Sequence, residues 1–451
     1  MAKFHITTNG TPGVCKAKAG NCPYGDAEHH YNSKEDAQAA IDKAFQEMLD
    51  IEKQEDLSGA NLNNKDLDEI RLTEKNLSGA NLNNSIVTNA ILTEAKLFDV
   101  KAQNADFRYT NLEDTDLSGA DFTGTDFTYS NLFSTLMNNT KMHNTMLEDV
   151  NLSYARIDNS DFSKSSLKNT TFWDAKIFNT NFEGTNLSHT EFEYAYLRDT
   201  NFDNADLNNT NFRDTIMDNV SVMHSNIVDT DFENAELNSC YMYSLNHEKT
   251  NFSNATINTG DFAGSNFVES NFSNTKLNSV NFNSTNIENT NFTNAQVKDS
   301  KFDYVNAYEN NFEGITTNNT SFEHADLYNS NFENSTLTDT SFVNADLEEV
   351  NFNGSTFNNV NLIGANLKNA DLRGVKLKGE IKGQTVISRT SDNGKHSAAW
   401  WKDLRILTYN DYQGKIEDFN KYLKDKYPGQ EVKQNNINMF IVQMLSIEDL
   451  L

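Results

Sequence analysis

Cys15, Cys22, His29 and His30 are the residues whose types and spacing suit chemistry most directly. Two thiols followed by paired imidazoles form a donor set for tetrahedral zinc. The spacing is not that of a standard zinc finger, and a Cys15–Cys22 disulfide or plain packing would also hold so short a segment. No catalytic constellation occurs elsewhere. The chain has no phosphate-binding loop, no Gly-x-Ser-x-Gly, no His-Glu-x-x-His and no calcium-type glycine repeat. Its nine His are scattered. Enzymatic activity is the function class with the least support.

The third cysteine, Cys240, and one histidine, His247, acquire meaning only within a longer pattern. From Leu57 to Leu377 every fifth residue is Leu, Phe or another mostly apolar side chain, always at a position ending in 2 or 7. Two residues before most of these centres sits a small side chain (Ala60, Ala120, Thr250, Ala365). Asn or Asp lies between the two, as in Ala60-Asn61-Leu62. A strand repeats every two residues and a helix every 3.6, so neither keeps every fifth side chain inside. A chain that turns a corner every five residues does. Four corners close a square coil of about twenty residues, and coils stack about 4.8 Å apart. Leu57 to Asn64 recurs intact as Leu77 to Asn84, one coil later. In this frame Cys240 is a buried filler at a small inward position. His247 takes an inward centre and, with Leu245, marks a core defect whose expected form is a neutral His bonded to backbone or water. Ala307 and Thr317 are milder defects.

A second rhythm places Phe at every tenth residue, from Phe162 to Phe212 and from Phe252 to Phe352, hence on two opposite walls of the square. Stacked columns of rings result, each ring gaining roughly 2–3 kcal/mol by burial. This is the pattern of the pentapeptide-repeat family, which the chain resembles over roughly seven-tenths of its length. The resemblance implies an all-β solenoid, a right-handed quadrilateral β-helix. About sixteen coils at strand spacing would make a rod roughly 75–80 Å long. The expected division is a loop-rich Cys/His module over 1–32, a capping helix over 33–54, the β-helix over 55–380, and a C-terminal helical cap or dimerisation domain over 381–451.

The formal net charge is −28. About −4 falls on residues 1–56, about −25 on the repeats and about +1 on the last seventy residues. Outward acids such as Glu113, Asp158, Glu183 and Glu288 occur on all four walls, so the charge reads as spread rather than focused. Such a surface keeps a solenoid with open strand edges soluble, and it would also attract a basic DNA-binding groove. Phosphate neutralisation needs clustered Lys and Arg, so no direct nucleic-acid binding is expected. No apolar run approaches eighteen residues and no signal peptide is recognisable; the expectation is a cytoplasmic protein without membrane contact, or a virion-associated one if phage-encoded.

Both ends depart from the frame. The segment Gly10 to Tyr31 resembles a small Cys/His module at the start of otherwise unrelated bacterial and phage proteins. Ser33 and Asp36 open a helix running to about Glu52, with Ala37, Ala40, Ile41, Ala44, Phe45 and Met48 as its apolar face, expected to lie over the first coil. After Leu377 the frame dies at Lys382, between Gly379 and Gly383. Helices are expected over Ala398 to Leu407, Tyr412 to Lys424 and Asn436 to Leu450. Trp400, Trp401, Phe440, Ile441, Met444 and Leu445 then cap the last coil or form a homodimer surface, as the family resemblance implies for C-terminal ends.

Outward aromatics are the candidate partner contacts. Phe133 and Trp173 share one wall, Phe98 and Phe178 another, and Tyr308 and Tyr328 lie on adjacent coils, with Val228 and Val268 continuing the last column. Two functions are consistent with these features. In the first, an acidic rod imitates DNA and modulates a DNA-binding protein; the resemblance points to a topoisomerase. In the second, a structural or host-interaction component of phage or bacterial origin uses its N-terminal module as a targeting element. Ice binding is disfavoured, because Thr mostly points inward.

Overall fold

A computed structural model describes residues 4–6, 11–14, 30–390 and 397–446. It divides into two compact units, 1–165 and 166–451. Cys15, Cys22 and His29 lie outside the described residues.

Within each unit the chain is a parallel β-solenoid, and its local rules explain the consensus. Each centre donates its N–H to the carbonyl nineteen residues on, as Leu57 does to Asn76 at 2.7 Å and Phe352 to Asp371 at 2.8 Å. One residue before each centre, an N–H goes back to the preceding coil, as from Asn81 to the Ala60 carbonyl at 2.8 Å. The corner closes when the small residue donates to the centre three back, as Ala60 does to Leu57 at 3.0 Å. Asn or Asp precedes the centre because its side-chain oxygen accepts the N–H two residues on. Asp56 Oδ1 does so for Ser58 at 2.9 Å, and Asn311 Oδ1 for Glu313 at 3.1 Å. Many of these amides also form ladders up the wall, such as Asn271 Nδ2 to Asn251 Oδ1 at 3.2 Å. Inward Thr hydroxyls are satisfied by carbonyls, either one coil back, as Thr190 is by Leu167 at 2.9 Å, or three residues back, as Thr275 is by Phe272 at 2.7 Å.

In the second unit four walls carry the centres in the order Phe172, Ile177, Phe182, Leu187. On the Ile177 wall, eleven strands from Lys176–Phe178 to Lys376–Lys382 pair in parallel at twenty-residue register, as in Leu277↔Val297. The first unit has two such strands, Leu136–Asn138 and Arg156–Asp158. Strands are therefore fewer than the roughly sixteen coils expected. Earlier coils of the first unit are joined at the corresponding positions by isolated bridges, Asp56↔Asn76 and Asn76↔Lys96 among them. The two Phe columns form as expected: Phe172 lies over Phe192 with centroids 4.7 Å apart and planes 2° apart. The columns meet edge to face across the core, Phe172 and Phe182 at 6.1 Å and 87°.

The solenoid stops for a visible reason. Asn358 pairs with Lys378, but Val360 pairs with Ile381, so one extra residue enters the last strand and throws the frame out of phase. Gly383 lets the displaced chain lie directly against the preceding coil, since a Cβ there would come within 2.5 Å of the Ile363 backbone.

Both terminal coils are closed by side chains that replace a missing rung. Arg71 N–H corresponds to that of Ile91, which goes to Ile70 of the coil before. With no coil before it, Arg71 donates to Glu52 Oε1 at 2.8 Å, at the end of helix α1 (Lys34–Glu52). Ser33 caps α1 through the Asp36 N–H, as expected. Its apolar face is less buried than expected: Ala37 and Ile51 are buried, whereas Ala44 and Phe45 face solvent. A Lys65–Glu47 ion pair at 2.8 Å helps hold the helix to the coil. At the other end Gln413 Oε1 accepts the Leu372 N–H at 2.6 Å, and its Nε2 donates to the Ala370 carbonyl at 2.7 Å. A single side-chain amide thus performs both tasks of a peptide group in the absent next coil.

Beyond the solenoid the chain is partly helical, but Ala398 to Leu407 is not a helix. Strands Val386–Thr390, Ser397–Trp401, Ile406–Tyr409 and Tyr412–Gly414 form an antiparallel sheet. Helices α2 (Phe419–Lys426) and α3 (Glu431–Leu445) come next, so the expected second helix starts seven residues late. Cross-strand packing explains the sheet: Trp401, Leu407 and Tyr409 are all fully buried, and Trp401 meets Phe357 of the solenoid edge-on at 6.4 Å.

His247 is fully buried and stacks on Phe267 at 4.2 Å; Nε2 donates to the Met242 carbonyl at 3.2 Å, and Nδ1 has no partner. Burial lowers its pKa from 6.5 to about 3. Below about 6.5 the unfolded chain binds a proton that the folded core refuses. Stability is therefore complete above that value and falls as pH drops toward 3, by about 1.4 kcal/mol per unit. His247→Leu is expected to raise the urea midpoint at neutral pH and to make unfolding less acid-sensitive than wild type. A difference between the two proteins that stays constant from neutral pH to about pH 4 contradicts this. For the end cap, Gln413→Ala leaves a donor and an acceptor unpaired, a loss of about 1–3 kcal/mol. Amide exchange at Leu372 is expected to accelerate, with that at Phe332 unchanged.

Candidate interaction surface

Every corner leaves three outward side chains: the Asn/Asp position and the two after the centre. The second of these lies in the left-handed region, with φ of 55° at Asn84 and 59° at Tyr304. Asn, Asp and Gly adopt it cheaply, and a bulky residue does not. Tyr nevertheless occupies it at 109, 129, 154, 194 and 304. These rings lie together rather than singly. Tyr109 stacks on Tyr129 at 5.3 Å, and Tyr304 on His324 at 4.8 Å.

Most of the predicted contact residues form local pairs with an aromatic neighbour one coil on. Phe133 packs edge-on against Tyr154 at 5.2 Å in the first unit, and Trp173 against Tyr194 at 5.8 Å in the second. Phe98 is about half exposed. Phe178 meets Tyr196 at 5.3 Å, and the Arg198 guanidinium sits 4.7 Å above its ring. Tyr308 and Tyr328 stack as expected, 5.6 Å apart with planes 6° apart. The sequence reading missed the corner tyrosines. Their signal was available: separations of 20 residues (Tyr109/Tyr129) or 21 (Phe133/Tyr154, Trp173/Tyr194) bring outward positions of successive coils together.

Charge is less evenly distributed than expected. Acids do occur on all four walls of the second unit, but the balance differs sharply between them. The outward positions of the Leu187 wall carry ten acids and three bases, and those of the adjacent Phe172 wall nine and two. The Ile177 ladder wall is balanced, with five acids against six bases. The Phe182 wall carries five and one. In the first unit, the outward positions of the wall centred on Leu67, Phe107 and Leu147 hold seven acids against Arg108 alone. The negative field is focused on the Leu187 and Phe172 walls, which carry about twice the acids of the other two, while the ladder wall offsets its five acids with six bases.

Tyr308 and Tyr328 lie on the acidic Leu187 wall. Tyr328 donates to Glu349 Oε2 at 3.0 Å. Hydrogen bonding to Glu309 and to Glu349 holds the Tyr308 and Tyr328 phenols, respectively, above the usual tyrosine range.

Of the predicted cap or dimer residues, Trp401, Ile441 and Met444 are buried inside the C-terminal sheet and helices. Trp400, Phe440 and Leu445 pack against that core, with Arg389 stacked 5.2 Å from the Phe440 ring. The exposed apolar residues of α3 are instead Val432, Met439 and Val442. Of the candidate zinc ligands His30 alone is described, and it is half-buried. No group of three His, Cys, Asp or Glu able to hold a metal occurs among the described residues. No helix among them is long and apolar enough to cross a membrane.

Comparison with known proteins places this geometry. A family model described as pentapeptide repeats matches residues 56–89, 76–114, 103–139, 261–306, 311–342, 318–354 and 340–379, and a pentapeptide repeat region model matches 145–232. Neither is a catalytic family. No curated protein matches the chain. Similar solved structures include HetL of Nostoc sp. strain PCC 7120, a pentapeptide repeat protein involved in heterocyst differentiation regulation. It is 20% identical, with 61% of this chain and 90% of that one covered and a TM-score of 0.16. A pentapeptide repeat protein of the Arabidopsis thaliana thylakoid lumen is 26% identical over 27% of this chain and 63% of that one, with a TM-score of 0.14. QnrB1, a plasmid-mediated fluoroquinolone resistance protein, is 18% identical over 51% and 92%, with a TM-score of 0.15. Superpositions this slight say nothing about function. The family matches span more than half of the residues, and the chain belongs to the pentapeptide-repeat family.

Proposed function

We propose that this chain works without catalysis, as an acidic solenoid that binds a protein partner and imitates DNA toward a DNA-binding protein such as a topoisomerase. The focusing of carboxylates on two adjacent walls of the second unit carries this reading. A wall with many acids and few bases on a rigid, low-dielectric support steers a basic groove toward one side. Full-length protein is expected to inhibit supercoiling by purified gyrase, or to displace duplex DNA from a basic DNA-binding protein, at micromolar concentration. Replacing Glu288, Glu309, Glu348 and Glu349 by Lys should abolish the effect, whereas Asp299→Lys with Asp339→Lys on the balanced wall should spare it. No effect of the wild-type protein at micromolar concentration removes the reading.

A second reading, a structural or host-interaction component of phage or bacterial origin addressed by its N-terminal module, is favoured by the exposed Phe45 and Ala44 on α1. A partner that co-purifies with the full chain and is lost on deletion of residues 1–50 supports it. The place of action depends on the partner: the cytoplasm, or a virion if the protein is phage-encoded. Zinc at Cys15, Cys22 and His29 or His30 belongs to this reading; one equivalent of metal retained through anaerobic purification supports it, and none sinks it.

The exposed Val432, Met439 and Val442 of α3 favour a homodimer through the C-terminal domain. That end is near neutral, so two copies meet there without the repulsion that separates the acidic walls. Light scattering is expected to give twice the chain mass, and Val432→Glu with Val442→Glu to halve it.

A further inference from the structure

The Leu187 wall of the second unit carries an aromatic step set among carboxylates. Along the column after each centre run Glu288, Tyr308, Tyr328, Glu348 and Lys368. Beside it the corner positions supply Glu309 and Glu349, and the positions before the centres supply Asp326 and Asp346. The ladder Asn286↔Asn306 and Asn306↔Asp326↔Asp346 fixes these positions at one coil per step. The nearest cation in this column, Lys368, is bonded to Glu348 at the column's end. On the other side of Tyr308 the column continues with Glu288 and Val268.

The protein already shows what such a column accepts. On the ladder wall Phe178 and Arg198 occupy the same kind of position on successive coils, and the guanidinium rests 4.7 Å above the ring. The coil repeat therefore matches the spacing of a guanidinium stacked on an aromatic face. At Tyr308 the equivalent place on the outer side of the ring is bordered by a carboxylate, Glu288, and offers no cation of its own. Glu349 takes a hydrogen bond from the Tyr328 phenol at 3.0 Å, which orients that ring relative to the wall.

We infer that the Tyr308–Tyr328 step is a docking site for an arginine-bearing basic segment of a protein partner, with a guanidinium stacked on Tyr308 and bonded to Glu288. This deepens the reading of the protein as an acidic interaction surface and rests on it. Charge complementarity selects a cationic occupant, and the flat ring selects a planar cation over a compact one. An aromatic flanked by paired carboxylates suits the delocalised guanidinium, which accepts stacking and bidentate bonding together. A lysine segment would gain the charge attraction alone.

Fluorescence anisotropy with labelled nona-arginine and nona-lysine peptides on the full-length protein tests this. Wild type is expected to prefer the arginine peptide by about tenfold at physiological salt. Tyr308→Ala with Tyr328→Ala should erase that preference while leaving salt-sensitive binding of both peptides. Tyr308→Phe, which keeps the ring, should retain it. Glu288→Gln should weaken the arginine peptide more than the lysine one. Equal affinity for the two peptides, or an arginine preference untouched by the double alanine variant, overturns the site while leaving the acidic surface in place. Failure of both peptides to bind wild type, even at low salt, overturns the site and the broader acidic reading together. The substituted positions face outward, and circular dichroism matched to wild type confirms that each variant is folded.

Discussion

The pairing of each coil's backbone with the next is the constraint on which everything else depends. In a globular core a polar backbone is hidden by folding into helices or sheets whose limits the side chains choose. Here the backbone bonds are fixed at a register of twenty, and each residue's role is set by its place in five. A centre must be apolar because its Cβ points into a square too narrow for water. The residue two before it must be small because it shares that square. Asn or Asp stands between them because its oxygen meets a turn N–H otherwise left to solvent. The corner must accept a positive φ. Only the outward atoms escape these demands.

This explains why the core can absorb local insults. His247, Thr317 and Ala307 all occupy centres, and Asn310 fills a position otherwise small, yet the register around them is unbroken. Thr317 finds a partner in Thr340 at 2.7 Å, whereas Asn310 Nδ2 and His247 Nδ1 find none. In a quasi-one-dimensional fold each such loss is confined to its own coil and neighbours, because stability is a sum of local and interface contributions. A defect of this kind in a single compact core would be felt throughout.

The same constraint decides what was legible beforehand. Every centre from Leu57 to Leu377 could be placed inside from its number alone, since a slip of one residue would turn the whole wall outward. The ends were harder, because there the register rule stops applying. Ala398-Ala399-Trp400-Trp401 reads well as helix by propensity, and the competing signal is spread over two strands: Trp401 pairs with Ile406, and Ala398 with Tyr409. A strand pairing with burial on both faces leaves no periodic trace within either strand. Gln413 was invisible for a related reason. A glutamine in a loop has no sequence mark that distinguishes a solvated amide from one completing a backbone ladder some forty residues earlier. The surface fell in between. Tyr308 and Tyr328 announced themselves by their separation of twenty, but the uneven charge needed the acids sorted by wall rather than counted by segment.

Function in such a molecule is therefore written in departures that the frame permits but does not need. An asparagine at a corner satisfies the turn and says nothing further. A tyrosine at the same φ is strained relative to asparagine or glycine, and five corners carry one among the described residues. A lysine on the ladder wall and a glutamate on the opposite wall are equally soluble, yet sorting them gives the second unit one charge-balanced wall and two strongly acidic walls adjacent to each other. Solubility alone would be served as well by acids spread evenly, and it would leave corner tyrosines unexplained. A surface that must present rings and carboxylates to a basic partner accounts for both at once. The rigid coil supplies the one thing such a surface cannot supply for itself: a fixed spacing, at which a guanidinium already rests upon Phe178.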